Sequence, residues 1–211
     1  MKIKTFTFNP IQENTYLAYD ETNEAVVIDA GCISGIEKRA LKNYIDENHL
    51  TVKRVLNTHL HFDHQFGNKF LFTTYGIKPE AGAEDEYLLE NVIEQTRSFG
   101  MEADEEAQPL GGYITDNQEI KFGNTTLKAL HVPGHSPGSM AFYDEKEGNL
   151  FAGDVLFRGS IGRTDLSKGD YATLIGSITK KLLPLPDSTV VYCGHGPSTT
   201  IGFERKNNPF L

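Results

Sequence analysis

The sequence predicts a layered α/β domain with helices on its outer faces. Three observations carry that expectation. Short apolar runs of strand length recur along the chain, separated by turn residues. Stretches of helical spacing fall between them, in the order strands and helix, then strands and helix again. The histidines and several acids gather where apolar runs end instead of being spread evenly.

The elements follow in order. Ile3, Phe6 and Phe8 mark a first β-rich run, residues 16–19 a second and residues 25–29 a third, with Asn9-Pro10 and residues 20–23 as turns, so the chain starts as antiparallel β. Ser34 with Glu37 resembles a capping box. Ile36, Ala40, Leu41, Tyr44 and Ile45 then recur at helical spacing, predicting an amphipathic helix over 35–48. A β run over 52–57 feeds directly into a His-rich segment. Residues 67–74 and 85–99 read as helical, the latter with Leu88, Val92, Gln95 and Phe99 on one face. The acid-rich stretch 100–112 reads as an exposed loop, either functional or a solvated connection. Residues 114–157 are β-rich. Asp170 caps a last helix with the apolar stripe Tyr171, Leu174, Ile175, Ile178 and Leu182, which Pro184 and Pro186 stop. A strand over 189–193 and a polar tail close the chain, and the whole of 1–211 is expected to be one domain.

Composition narrows the function. Twenty Lys and Arg against 29 Asp and Glu leave a net charge of −9, which argues against nucleic acid as a partner. Hydrophobic residues at 38% and charged residues at 23% fit a globular rather than a disordered chain. No apolar run has the roughly 20 residues of a membrane span. The first residues lack the apolar core of a secretory signal, so a cytoplasmic protein is expected. Two cysteines, Cys32 and Cys193, are too few for a disulfide scaffold.

The chemistry lies in Thr58-His59-Leu60-His61-Phe62-Asp63-His64. In an extended segment residues two apart point the same way, so His59 and His61 can converge on one cation. Asp63 and His64, just beyond, can face a second. Imidazole suits zinc, iron and copper, and carboxylate adds oxygen ligation. Farther on, His135 sits in Pro133-Gly134-His135-Ser136-Pro137-Gly138-Ser139, Asp154 follows the apolar run Phe151-Ala152-Gly153, and His195 sits in Cys193-Gly194-His195-Gly196. All are at strand-to-loop junctions. Together they supply seven nitrogen and oxygen ligands.

The order of these pieces, from Ile28-Asp29-Ala30-Gly31 to Gly194-His195-Gly196, resembles the metallo-β-lactamase superfamily, and most of all its glyoxalase II-like (hydroxyacylglutathione hydrolase-like) branch. The resemblance implies a four-layer αββα sandwich. It implies that His59, His61 and His135 bind one metal, that Asp63, His64 and His195 bind another, and that Asp154 bridges them. Zinc suits this set, and iron or manganese is tolerated. The implied reaction is metal-assisted hydrolysis of a small-molecule thioester or ester by a hydroxide held between the two ions, with Asp63 orienting it and accepting its proton. Typical glyoxalase II enzymes add a C-terminal helical segment that helps hold glutathione; this chain ends soon after His195, so glutathione itself is not implied. Asp29 is either an orienting residue behind the ligands or a strand-ending turn residue. Arg163 either contacts an anionic substrate group or pairs with Asp165. Tyr113, Phe157 and the 100–112 loop are candidate pocket linings. Within the same superfamily, β-lactam hydrolysis is disfavoured by the absence of a secretory signal and nucleic-acid processing by the net charge of −9; two further readings stand beside the hydrolase. One is a mono-iron persulfide dioxygenase-like enzyme using His59, His135 and Asp154; the other is a non-catalytic metal-binding domain. Oligomeric state is not readable from the sequence.

Overall fold

The first three apolar runs form the antiparallel start that their alternation predicts. β1 (Lys2–Phe8) pairs with β2 (Glu13–Tyr19), and β2 with β3 (Glu24–Ile28). The chain then crosses through α1 (Gly35–Glu47) and returns as β4 (Thr51–Leu56), parallel to β3, the handling a parallel pair requires. The capping box is present in both directions: Glu37 N donates to Ser34 Oγ at 3.2 Å, and Ser34 N donates to the Glu37 carboxylate at 2.8 Å. The structure is a computed structural model, and it describes residues 1–90, 92–101 and 106–211.

After the His-rich segment come α2 (Asn68–Tyr75), β5 (Pro79–Ala81), α3 (Val92–Ser98) and β6 (Gly112–Tyr113). Strands β1 to β6 form one six-stranded sheet in sequence order. The second half supplies β7 (Glu119–Phe122), β8 (Thr125–His131), β9 (Met140–Asp144) and β10 (Asn149–Gly153), then a small hairpin of β11 (Leu156–Phe157) and β12 (Ser160–Ile161). Next come α4 (Tyr171–Ser177), β13 (Val190–Cys193), β14 (Thr199–Thr200) and α5 (Ile201–Asn207). The second sheet runs β14-β13-β10-β9-β8-β7.

Three apolar clusters hold the layers together. Tyr16, Val26, Ile28 and Leu56 of the first sheet meet Ile120, Phe122, Phe142 and Phe151 of the second between the sheets. Leu41, Ile45 and Leu71 from α1 and α2 cover the outside of the first sheet with Leu17, Val27 and Val55. Leu174, Ile178, Leu182 and Ile201 cover the outside of the second with Leu150 and Val191. The result is the four-layer αββα sandwich. Among the described residues no helix is long and apolar enough to cross a membrane.

Three local expectations change. The helix expected over 85–99 is a 3₁₀ stretch, Ala83–Leu89, then an extended Glu90, then α3. Leu88 and Val92 are buried as expected, but Phe99 is 50% exposed and packs at a tilt against Phe62, with ring centroids 5.0 Å apart. Within the predicted 100–112 loop, residues 102–105 lie outside the described residues, and Gly112 already belongs to β6. The expected polar tail instead contains β14 and α5. Its helix is anchored by Ile201 and by a buried Glu204, which accepts from Gly159 N at 3.0 Å and Asn208 Nδ2 at 2.7 Å. Asp170 caps α4 as predicted, accepting from Thr173 N at 2.7 Å, and the helix widens into a π turn over Ile178–Leu182 before the prolines.

Candidate metal centre

The ligand candidates sit where strands stop. β4 ends at Leu56, His61 is still extended (φ −60°, ψ 146°), and one 3₁₀ turn, Phe62–His64, then brings Asp63 and His64 round. Buried amides staple this segment from behind. Asn57 Nδ2 donates to His64 O at 2.7 Å, Asn68 Nδ2 to Asn57 Oδ1 at 2.9 Å, and Gln65 Nε2 to Leu60 O at 2.7 Å. His135 lies in the β8–β9 connection, Asp154 directly after β10, and His195 two residues after β13. Backbone bonds tie the two sheets at this end: Met140 N to Thr58 O at 2.7 Å, and Asn14 N to Gly194 O at 2.7 Å.

The side chains converge as two triads, His59/His61/His135 and Asp63/His64/His195, with the candidate ligand atoms of each within 4.8 Å of one another. His135 Nε2 is 3.3 Å from His59 Nε2 and 2.9 Å from His61 Nδ1. His195 Nε2 is 3.3 Å from His64 Nε2 and 3.2 Å from Asp63 Oδ2. Asp154 reaches both triads: Oδ2 lies 3.7 Å from His135 Nε2 and 3.5 Å from His195 Nε2, while Oδ1 lies 3.5 Å from His64 Nε2.

The outward nitrogens settle which atoms face inward. His135 Nδ1 donates to Arg163 O at 2.8 Å, and His195 Nδ1 to Ile11 O at 3.2 Å. His64 Nδ1 donates to Asp29 Oδ2 at 3.1 Å. Thr58 N and Thr58 Oγ1 each donate to Asp29 at 2.7 Å. A hydroxyl has one proton, so Thr58 Oγ1 then accepts from His59 Nδ1 at 3.0 Å. In their neutral forms four imidazoles therefore aim unprotonated Nε2 lone pairs at the same small space. Lone pairs 3.3 Å apart repel unless a cation lies among them. Asp154 Oδ1, buried there without a hydrogen-bond partner, makes the same demand. The residues present fit divalent cations. Asp29, His59 and His64 also cluster, but Asp29 is spent on its three hydrogen bonds, which suits an orienting role.

The electrostatics divide the histidines into two groups. Burial, helped by the neighbouring imidazoles, pushes His59 well below the usual histidine range and His61 down to about 4, so both stay neutral and able to ligate. Burial also works to lower His64 and His195, but the carboxylates of Asp63 and Asp154 raise both. Burial opposes ionisation of Asp154, yet His64 and the other imidazoles hold its carboxyl below the usual range. Cys32 and Cys193 stand outside the set: both are buried, with thiols pushed up to about 12.

The centre opens into a cleft of about 970 Å³. Ile11, Phe62, Leu88, Phe99, Phe157 and Ile161 give it apolar walls. Phe157 thus lines the pocket, whereas Tyr113 points to Glu86 and is not among its lining residues. Arg163 lines the cleft, and its guanidinium makes two bonds of 2.7 Å to Asp165. Sequence reasoning missed the supports: Asn57, Gln65, Asn68 and Asp85. Each is polar and buried, yet adjacent to polar neighbours in sequence, so no pattern singles it out.

A sequence profile described as the metallo-beta-lactamase superfamily matches residues 8–195. Hydroxyacylglutathione hydrolase GloC of Haemophilus influenzae is 38% identical over all of this chain and 98% of its own. The crystal structure of BLEG-1 B3 metallo-beta-lactamase superposes with a TM-score of 0.88 at 39% identity, covering 100% of this chain and 99% of that one. The crystal structure of TTHA1623 in a di-iron-bound form superposes with a TM-score of 0.87 at 37% identity, covering 99% and 100%.

Proposed function

The chain belongs to the metallo-beta-lactamase superfamily, and from that premise we propose that it is a hydrolase that uses two divalent cations to cleave a thioester or ester of a small molecule. The observation that carries this reading is the meeting of two triads, with Asp154 within 3.7 Å of imidazole nitrogens on both sides. His59, His61 and His135 would hold one cation and Asp63, His64 and His195 the other, with Asp154 within reach of both. Cations held there would supply Lewis acidity to the scissile carbonyl and to the attacking water.

The chain's own groups do the rest. Asp63 orients the water and takes its proton; held below the usual carboxylate range despite burial, it passes a proton on rather than keeping it. Asp29 and Thr58 hold His59 and His64 in the tautomers that leave Nε2 free. The apolar cleft walls seat the acyl or leaving group. Arg163 takes an anionic substrate group; its exposed pair with Asp165 is weak enough to exchange. Five nitrogen and two oxygen donors suit zinc, with iron the runner-up, a choice that the di-iron form of TTHA1623 supports. The GloC relative supports a thioester as the substrate class.

The test is metal analysis of the purified protein joined to a panel of thioesters, esters, lactones and persulfides. Two metal equivalents with thioester or ester turnover are expected. One iron per chain with oxygen uptake on a persulfide would replace the hydrolase by a dioxygenase. Full metal loading with no turnover anywhere on the panel would leave a metal-binding domain.

A further inference from the structure

Among three consecutive acids, Glu84 and Glu86 are exposed while Asp85 is fully buried. Its carboxylate is used completely. Oδ1 accepts from Gly138 N at 2.6 Å, and Oδ2 accepts from Ser136 Oγ at 2.6 Å and from Leu60 N at 3.3 Å. These donors belong to two segments far apart in sequence. Leu60 stands between His59 and His61. Ser136 follows His135 directly, and Gly138 completes that turn. The approach is close enough that a Cβ on Gly138 would stand 2.7 Å from Asp85 Cγ. Ser136 Oγ also lies 2.7 Å from Ser139 Oγ, so the grip extends across the whole 136–139 turn. The 3₁₀ stretch that carries Asp85 presents Tyr87 and Leu88 to the cleft. None of the hydrogen bonds of Asp85 reaches Asp63, His64 or His195.

We propose that Asp85 is a positioning residue for one half of the centre: it fixes His59, His61 and His135 against each other and locks the substrate-facing wall to them. The inference rests on the reading that these three histidines share a cation. The physical reason for a carboxylate here is that three donors converge on it and it has acceptors only. An amide of the same shape cannot serve them all. Its oxygen keeps Gly138 N, and Ser136 can reverse its hydroxyl, but Leu60 N–H then faces another donor, buried, between two ligand histidines.

Asp85→Asn tests this. Cation-free protein with ¹⁵N-labelled histidine is compared with wild type, followed by Co²⁺ titration of both. The imidazole signals of His59, His61 and His135 should shift while His64 and His195 hold still. One cation should then bind about 10- to 100-fold more weakly and the other within twofold of wild type, the range that support residues behind metal ligands command. Urea denaturation identifies a variant that merely fails to fold. In that case Ser136→Ala, which removes one neutral donor and leaves the carboxylate, should give the same one-sided pattern at smaller size. Equal weakening of both cations, or an imidazole spectrum unchanged at all five histidines, overturns the proposal. If wild type takes up a single cation, the two-cation reading fails, and the imidazole shifts alone decide the role of Asp85: confined to His59, His61 and His135 they support it, spread evenly they overturn it.

Discussion

Asp29→Asn is expected to weaken both cation sites while leaving the fold intact. Asp29 has φ +52°, a conformation asparagine also accepts, so the backbone imposes no new strain. The amide oxygen keeps the bond from Thr58 N. The NH₂ group replaces Oδ2, which accepts from Thr58 Oγ1 at 2.7 Å and from His64 Nδ1 at 3.1 Å. Each lost bond to a carboxylate is worth about 1.5–3 kcal/mol, and a reversed Thr58 hydroxyl recovers about 1 kcal/mol, so about 2–5 kcal/mol of stability is at stake. The effect on the centre follows from the protons. A reversed Thr58 hydroxyl donates to His59 Nδ1, and the new NH₂ donates to His64 Nδ1. Both rings must then carry their proton on Nε2, the nitrogen that faces the centre. His59 belongs to one triad and His64 to the other, so both affinities should fall, by about 10- to 100-fold each. Calorimetric titration of the cation-free protein measures this, and ¹⁵N spectra of the imidazoles report the tautomers. Two affinities within twofold of wild type, with His59 and His64 still protonated on Nδ1, would refute the relay.

Asp154→Ala should lose at least one metal equivalent and most activity; unchanged stoichiometry and rate on elemental analysis and assay would remove Asp154 from its bridging role. Gly194→Ala would place a Cβ 2.1 Å from Asp154 Oδ1 and 2.8 Å from His64 Cε1, so metal content should fall with little change in circular dichroism, and full loading would show that the carboxylate has room to move. Arg163→Ala should raise KM about three- to tenfold for a carboxylate-bearing thioester and leave an uncharged one unaffected, about 1 kcal/mol for an exposed pairing; equal effects on both exclude it from substrate binding. Burial works to raise the Asp20 carboxyl, but donors from Thr22, Asn124 and Thr125 bring it below its ordinary value. Its stabilisation is therefore present above the unfolded carboxylate pKa and is lost as pH falls through the lower folded value. Asp20→Asn should cost about 1–3 kcal/mol in urea denaturation at pH 7 and far less near pH 2; an equal cost at both would deny the charge a role.

The parts of this molecule that were legible in its sequence are those where one local pattern has one physical meaning. The capping box before α1, the Asp170 cap and the alternation in β1 to β3 depend on neighbours within a few residues. The convergence of the histidines was legible because histidines at strand ends have few structural uses. The supports were not. Asp85 reads as solvated beside Glu84 and Glu86, and only the arrival of the 136–138 turn, some fifty residues on, buries it. Glu204 misled in the same way: an acid in a polar tail suggests solvent, but three donors from three places enclose it and allow α5 to dock. Phe99 failed in the opposite sense. Its spacing put it on a buried helical face, but the chain breaks that periodicity at Glu90, and the ring stands half-exposed at the cleft.

The braces behind the centre divide its work. Asp29 bonds His64 directly and reaches His59 through Thr58, so it sets the tautomer of one histidine in each triad. Asp85 touches the frame of one triad only, and that frame also carries the apolar cleft wall. Asn14 belongs to the first sheet but bonds the second, donating from its side chain to Cys193 O at 3.1 Å and Gly196 O at 2.8 Å, and thereby sets where His195 stands. On the two-cation proposal, a site built this way would lose affinity on one side without losing it on the other. The cleft wall at Tyr87 and Leu88 and the His59/His61/His135 triad would then respond together, since one carboxylate ties them. In the proposed hydrolase, substrate specificity and occupancy of the His59/His61/His135 side would thus be mechanically linked, whereas the Asp63/His64/His195 side would answer to the closure of the two sheets.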